Sequence, residues 1–332
     1  LIKIEKTEPV LLTPLPIVAT EGYLKARSSG EYGWFVSDQM ILPYVVERRA
    51  FFNRLVFPSA TVFVEPVSAE AERLFLGEVV ELSKQLNVDF IYQPHTSAVF
   101  RACPQNSIHC QFSSFQVDLT AQESDLFAGL HHKHRNVIRK AMAEGVQIVS
   151  GTEYLDECAR LIQQTMQRQS LPWARKGELM RLAAELGDQV SFYVAKKNGK
   201  SQGCAVVIWK AGSSAYYLHG GSIEGPSLGA MNYLQWKIML DMKAHGVLVY
   251  DFMGARMSPL PGSRQESIQR FKSRFGGQLK VGYLWKYPLK PLRYKLFTAT
   301  AKLNAYARGL KYTGDIIDQE RARSHESDCS HI

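Results

Sequence analysis

The chain is short of most features that place a protein at sight. Its 332 residues hold five cysteines: Cys103, Cys110, Cys158, Cys204 and Cys329. An odd number with no C-x-x-C pair argues against both a disulfide framework and a zinc ribbon. Cys103, His109 and Cys110 have no second pair at ligand spacing, so these cysteines read as loop or core residues in a reducing compartment. No apolar run reaches the ~18 residues that cross a bilayer. Residues 1–10 mix two lysines with two glutamates, unlike a secretory leader, and the expectation is a cytoplasmic protein. A Walker A loop, H-E-x-x-H and a dinucleotide fingerprint are missing, and Gly220-Gly221-Ser222-Ile223-Glu224 just misses a G-x-S-x-G elbow.

Acid is also scarce in one stretch. Residues 256–311 carry 13 Lys and Arg against the single acid Glu266, a charge of +12, and the rest of the chain has 27 bases against 30 acids. The whole excess of +9 therefore lies there. A basic segment beside a neutral body suits a polyanionic partner: a phosphate-bearing substrate, RNA or an anionic membrane surface. A solvated basic face without a ligand is the plainer alternative. With 45% hydrophobic and 21% charged residues over this length, two ordinary globular domains are expected.

The pattern along the chain repeats. In the first half, residues 33–36 and 40–46 read as strands around a turn at Ser37-Asp38, followed by a strand at 61–64. A helix starts near Ser68 with Glu70 and Glu72 at its positive end and Leu74, Val79 and Leu82 in its stripe, and residues 88–92 form a buried strand. After a strand at 112–119, Thr120 and Glu123 have capping-box spacing ahead of a helix or broken helix to Ala143. His131-His132-Lys133-His134 lies inside it without a carboxylate or cysteine at helical spacing, so no metal site is assigned and a basic exposed face is expected. The second half has helices at 155–169 and 179–186, then a hairpin of 191–196 and 203–209 turned by Asn198-Gly199, then a strand at 215–219. Leu228, Met231, Leu234, Ile238 and Met242 mark a helix stopped by Gly246, and the strand 247–250 follows. Both halves thus run hairpin, strand, helix, strand. Residues 279–285 form a last strand. Residues 289–311 are basic and partly amphipathic; they pack on the protein itself or lie on a membrane with Tyr294, Phe297 and Leu303 inward. The final twenty or so residues are expected to be disordered.

The strand at 247–250 runs into Tyr250-Asp251-Phe252-Met253-Gly254. An irregular loop follows, and then Phe271-Lys272-Ser273-Arg274-Phe275-Gly276-Gly277. This pair resembles the Y-D-F-x-G and F-K-x-x-F-G-G signatures of the FemABX peptidyltransferases. Arg135-Asn136-Val137-Ile138-Arg139-Lys140-Ala141 with Gly145-Val146 is similar to the family's R-x-x-I-R-K-A…G-V, and Thr165-Met166-Gln167-Arg168 to its T-x-x-R. The resemblance spans about residues 135–277. It implies an α/β (α+β) fold of tandem GNAT-like domains, with mixed sheets flanked by helices. The expected division is an N-terminal GNAT-like domain at 1–145, a C-terminal one at 146–288 carrying both signatures, and a basic segment with a disordered tail at 289–332. No charged heptad stretch suggests the helical arm of some family members.

The implied activity is acyl transfer: an aminoacyl group passed from charged tRNA to an amine of a peptidoglycan precursor or related phosphate-linked glycan. Relatives with the same signatures point to the alternative, an acyl-CoA-dependent N-acyltransferase acting on an amino sugar or amino acid in surface-polysaccharide synthesis. A non-catalytic tRNA- or anionic-lipid-binding module is the third reading. Amine attack on an ester or thioester needs a dry pocket and a positive donor at the carbonyl oxygen as it becomes an oxyanion. Lys272 is the candidate for that charge and Phe271 shapes the pocket beside it, in line with the matching family position. Arg168, with Thr165, would hold the acceptor's phosphate or carboxylate. Tyr250, Asp251, His219, Arg256 and Arg274 complete the expected substrate-binding set, Asp251 more as an acceptor of loop N–H groups than as a general base. At the place of the GNAT pyrophosphate loop stands Glu224-Gly225-Pro226-Ser227-Leu228-Gly229-Ala230; Pro226 lacks an N–H and Glu224 repels phosphate, so no cofactor-binding residues are assigned. The donor stays open between aminoacyl-tRNA and acyl-CoA, and membrane-peripheral attachment through the basic segment is a further expectation.

Overall fold

A computed structural model describes residues 1–329 apart from 29, 49–50, 170–175, 308 and 310–311, with side chains to residue 323. The first half runs β1 (Lys3–Glu5), α1 (Glu21–Arg27), β2 (Glu31–Val36), β3 (Met40–Arg48), β4 (Asn53–Val56), β5 (Val62–Phe63), α2 (Ala69–Ser83) and β6 (Phe90–Ile91). Then come β7 (Ile108–Asp118), α3 (Glu123–Gly129), α4 (His132–Ala143), β8 (Val146–Ser150), α5 (Leu155–Gln167), α6 (Lys176–Leu186), β9 (Val190–Lys197), β10 (Lys200–Trp209) and β11 (Ser214–Ser222). The chain closes with α7 (Ala230–Ala244), β12 (Val249–Asp251), α8 (Arg264–Ser273), β13 (Gln278–Lys286), α9 (Pro291–Ala307) and α10 (Ile316–Cys329).

Two mixed sheets result. The first is ordered β1-β2-β3-β4-β6, with β5 also on β3; the second is β13-β7-β12-β11-β10-β9-β8. Each contains one parallel pair joined by a crossover helix: β4 and β6 across α2, β11 and β12 across α7. The repeat of element order read from the sequence is thus a repeat of topology. The halves are stitched together by β13, which pairs with β7 along its length and bridges to the first half at Phe100–Tyr283 and Ile91–Tyr287. An expected boundary at 145/146 does not separate the sheets, because β7, inside the first 145 residues, lies in the second sheet between β12 and β13.

Local signals explain most elements. Ser68 caps α2 by accepting the Ala71 N–H at 3.1 Å, and the helix buries Phe75, Leu76, Val79 and Val80. Leu74, expected in that stripe, is exposed, as is Leu228 ahead of α7. The capping box at Thr120 does not form. Its N–H and hydroxyl both bond Asp118 Oδ1, at 2.8 and 2.7 Å, and Gln122 precedes the helix without a side-chain cap. The break expected before Ala143 falls at Leu130, between α3 and α4. On α4 the face 134, 138, 141 is buried, so His134 is a core residue against Phe271 and Phe275 rather than part of a basic exposed face. Among the described residues no cluster could hold a metal ion.

The C-terminal segment differs most from expectation. In α9, Tyr294 and Phe297 pack inward on Phe90, but Leu303 points out, 68% exposed. The expected disordered tail forms α10, whose Ile317 is buried. Its acids find cations far away in sequence: buried Lys286 bonds Asp315 at 2.8 Å and Asp318 at 2.6 Å, and Glu320 pairs with Arg256. Such pairings leave no local trace in the sequence. Among the described residues no helix is long and apolar enough to cross a membrane.

Candidate active site

The site begins where the parallel pair of the second sheet comes apart. β11 and β12 are in register at Ser214–Val249, Ala215–Tyr250 and Tyr216–Asp251, and then diverge. Past that point Phe252 N–H bonds to Phe115 O and Ala255 to Ser113 O, so the chain after β12 follows β7 and leaves β11. The opening is a cavity of about 770 Å³ lined by Tyr217 to Ser222 on one side, Phe252 to Gly254 on the other, and α8 across it. Thr96, from the first half, and Ile316, at the start of α10, complete its wall.

Asp251 sets the geometry of the strand end. It is 1% exposed and accepts bonds from Ser114 Oγ, Gln116 Nε2 at 2.8 Å and the Met253 N–H at 2.6 Å. The last bond holds Met253 at φ +56°, a left-handed conformation that a side-chain-bearing residue adopts only when its surroundings enforce it. The turn presents the Met253 and Gly254 carbonyls to Lys272, whose Nζ donates to them at 2.6 and 3.0 Å. Gly254 leaves no room for a side chain, since a Cβ there would stand 2.8 Å from Thr96 Cβ. Burial raises the Asp251 carboxyl above its usual range, although its hydrogen bonds and Lys272 oppose that. It lies behind the wall, as does Tyr250, fully buried with its hydroxyl on Gln235 Oε1 at 2.8 Å. Both act as supports and do not line the cavity.

α8 delivers Lys272. A loop was expected here, yet Ser263 caps a helix by accepting the Glu266 N–H at 3.2 Å, while Glu266 Oε2 accepts the Gly262 N–H at 2.8 Å. The helix turns Gln265, Ile268, Gln269 and Lys272 to the cavity. Phe271 and Phe275, four apart, anchor it on His134 and Phe252. Gly276 then takes φ +78° where a Cβ would meet Gly129 O at 2.9 Å, which fixes the exit of α8 against α3. Burial pushes Lys272 down to about 8, with Asp251 partly offsetting it. At neutral pH it is still an ammonium, with three donors and two of them used. The third is free for a ligand.

The other expected residues divide. His219 lines the cavity, and burial with the Arg27 guanidinium pushes it down to about 4, so its imidazole is neutral. Thr165 also lines it, but its hydroxyl is spent: it donates to Ser222 O at 3.0 Å and accepts the Ser222 N–H at 2.8 Å. Arg168 lies outside the lining and donates to that same carbonyl at 2.6 Å. Together these two residues clamp the end of β11 to α5. Arg256 lines the cavity, yet its guanidinium is taken by Glu320 and by Gln319 Oε1 at 2.7 Å. Arg274 stands away, its carbonyl accepting the His131 N–H at 3.0 Å.

Arg264, not singled out from the sequence, is the cation that remains. It is the first residue of α8 and lines the cavity, and its guanidinium has no ion pair or hydrogen bond among the described residues. Among the described residues the lining contains Arg256, Arg264 and Lys272 and no carboxylate. Such a wall selects an anionic ligand. At the N-terminus of α7, which meets the cavity through Met231, there is neither a side-chain cap nor an acid in the first turn. One amide of the preceding loop is already used, the Ser227 N–H bonding Gln202 Oε1 at 2.9 Å.

Residues 130–272 match the family model for an acetyltransferase (GNAT) domain. Among solved structures, the fold is similar to FemX, with a TM-score of 0.64 at 14% identity over 86% of this chain and 95% of that one. It is also similar to a C-terminal domain described as that of a lysylphosphatidylglycerol synthetase from Agrobacterium fabrum, with a TM-score of 0.54 at 15% identity over 88% and 94%. No curated protein matches. The chain thus carries a match to a GNAT acetyltransferase domain at 130–272, set in a fold similar to that of FemX over 86% of its length.

Proposed function

We propose that this acyltransferase moves an aminoacyl group from charged tRNA to an amine of a phosphate-bearing cell-envelope precursor. The observation that carries the reading is Lys272: an ammonium held by two carbonyls, with one donor free, in a cavity whose wall, among the described residues, has cations and no carboxylate. The acceptor amine attacks the ester carbonyl, forming the new C–N bond, and the carbonyl oxygen takes the negative charge. The free donor of Lys272 stabilises that oxygen in a half-buried setting where charge is weakly screened. Collapse breaks the ester C–O bond, and the departing ribose oxygen takes up the proton lost by the amine. Arg264 binds the acceptor's phosphate or carboxylate through its two-pronged guanidinium. The fold likeness to FemX and to the described lysylphosphatidylglycerol synthetase domain supports an envelope setting.

An acyl-CoA donor is the second reading, favoured by the uncapped, acid-free N-terminus of α7 beside the cavity. Pro226 and the committed Ser227 amide weigh against it. The test is incorporation of radiolabelled amino acid from charged tRNA into a nucleotide-linked peptidoglycan precursor, alongside thermal unfolding in acetyl-CoA and free CoA at constant ionic strength. Incorporation without a CoA-dependent midpoint shift supports the first reading. A saturable CoA shift with no incorporation transfers the site to the second.

A further inference from the structure

Among the described residues the outward face of α9 has no partner. Leu292, Leu296, Ala299, Leu303 and Tyr306 recur at alternating spacings of four and three and form one stripe along the helix. Four of them are large and open to solvent, at 81%, 55%, 68% and 85% for Leu292, Leu296, Leu303 and Tyr306. Phe51 is also exposed, at 77%, and its carbonyl accepts from Arg293. The opposite face holds the helix down. Phe297 packs on Phe52, Phe90 and Tyr92, and Lys290 and Arg293 reach Asp89 at 3.1 and 2.7 Å. The stripe is therefore presented on a fixed helix.

Charge selects the occupant. α9 contains no acidic residue. Lys295 and Lys302, seven apart and flanking the stripe, have neither an ion pair nor a hydrogen bond among the described residues. A second copy on the same two-fold face would set these lysines near their own counterparts with no acid on either helix to offset them. An anionic bilayer takes both features at once: apolar side chains enter the headgroup boundary while lysine stems bend their ammonium groups to lipid phosphates. We infer that α9 is a membrane-surface anchor, seating the protein on anionic lipid through Leu292, Leu296, Leu303 and Tyr306 with Lys295 and Lys302 at the headgroups. This inference stands on α9 alone and holds whichever donor the cavity uses.

The test is co-sedimentation of the full chain with vesicles of phosphatidylcholine alone or mixed with phosphatidylglycerol. Bound protein is expected to rise at least about tenfold with the anionic lipid and to fall again in high salt. Leu296→Glu with Leu303→Glu is expected to cut binding about tenfold while the unfolding midpoint stays put, since both side chains face water in the fold. Lys295→Glu with Lys302→Glu, which keeps the apolar stripe, is expected to abolish the preference for anionic lipid. Equal binding to both vesicles, no binding, or binding indifferent to the leucine pair would overturn the inference. So would a dimer in sedimentation equilibrium that the leucine pair dissolves, which would give the face to a second copy.

Discussion

The two parallel pairs start alike and end differently. In the first half β4 and β6 stay zipped beyond their register, with the Tyr92 N–H on Leu55 O at 2.8 Å and the His95 N–H on Phe57 O at 3.0 Å. Phe57 fills the space between them, fully buried against Phe100 and Trp285. In the second half β11 and β12 part after Tyr216 and Asp251, and a cavity of about 770 Å³ occupies the gap. The crossover helices differ in the same sense. α2 has a serine cap and Glu70 and Glu72 in its first turn, whereas α7 has neither a side-chain cap nor an acid there. One topology thus serves once as core and once as site, and a bond from the Met253 N–H to Asp251 Oδ1 marks the strand end where the two differ.

Substitutions on either side should break that contrast in opposite ways. Lys272→Met is expected to lower transfer by about a hundredfold or more, the scale of losing one preorganised oxyanion donor. Its stability effect follows from the lowered pKa. The folded state holds this proton less tightly than the unfolded one, so the charge weighs against folding below about pH 8 and that penalty fades as pH rises toward the ordinary lysine range. A level or raised unfolding midpoint at pH 7 is therefore expected, and a large drop would contradict the placement. Phe57→Ala should do the reverse, costing about 3–5 kcal/mol of stability with kcat unchanged at temperatures where the fold survives. Denaturant titration and initial rates together decide it.

Smaller effects sharpen the site itself. Arg264→Ala is expected to raise the acceptor KM about tenfold with little change in kcat. Arg168→Ala should raise it less, because Arg168 already spends itself on Ser222. Asp251 partly sustains the Lys272 charge. In Asp251→Asn the alkaline limb of the pH–rate profile should therefore move below its wild-type position near pH 8. A limb that stays in place would detach Asp251 from the lysine.

Much of this contrast was legible in the sequence. The repeat of hairpin, strand, helix and strand is carried by local periodicity, whereas the grouping of Tyr250, Asp251 and Lys272 follows from the resemblance to the FemABX signatures. What stayed hidden depends on distant partners. Thirteen basic residues between 256 and 311 look equivalent in sequence. Only the fold shows that Arg256 is taken by Glu320, that Lys286 is buried on Asp315 and Asp318, and that Arg264 is the cavity-lining cation without a partner among the described residues. Capping boxes show the same limit. Thr120 has the spacing, but its hydroxyl and N–H turn back to Asp118, while Ser263 has the same spacing and does cap the helix that carries Lys272. The spacing alone does not say which will form.

The central claim is that the open end of the second parallel pair holds a lysine half out of water and ready to meet an oxyanion. Competitive labelling of the full chain with an amine-selective acylating reagent across pH, read by peptide mass, measures this without any substrate. Lys272 is expected to titrate near 8, below the ordinary range of a free lysine. Titration of Lys272 in that ordinary range would contradict it.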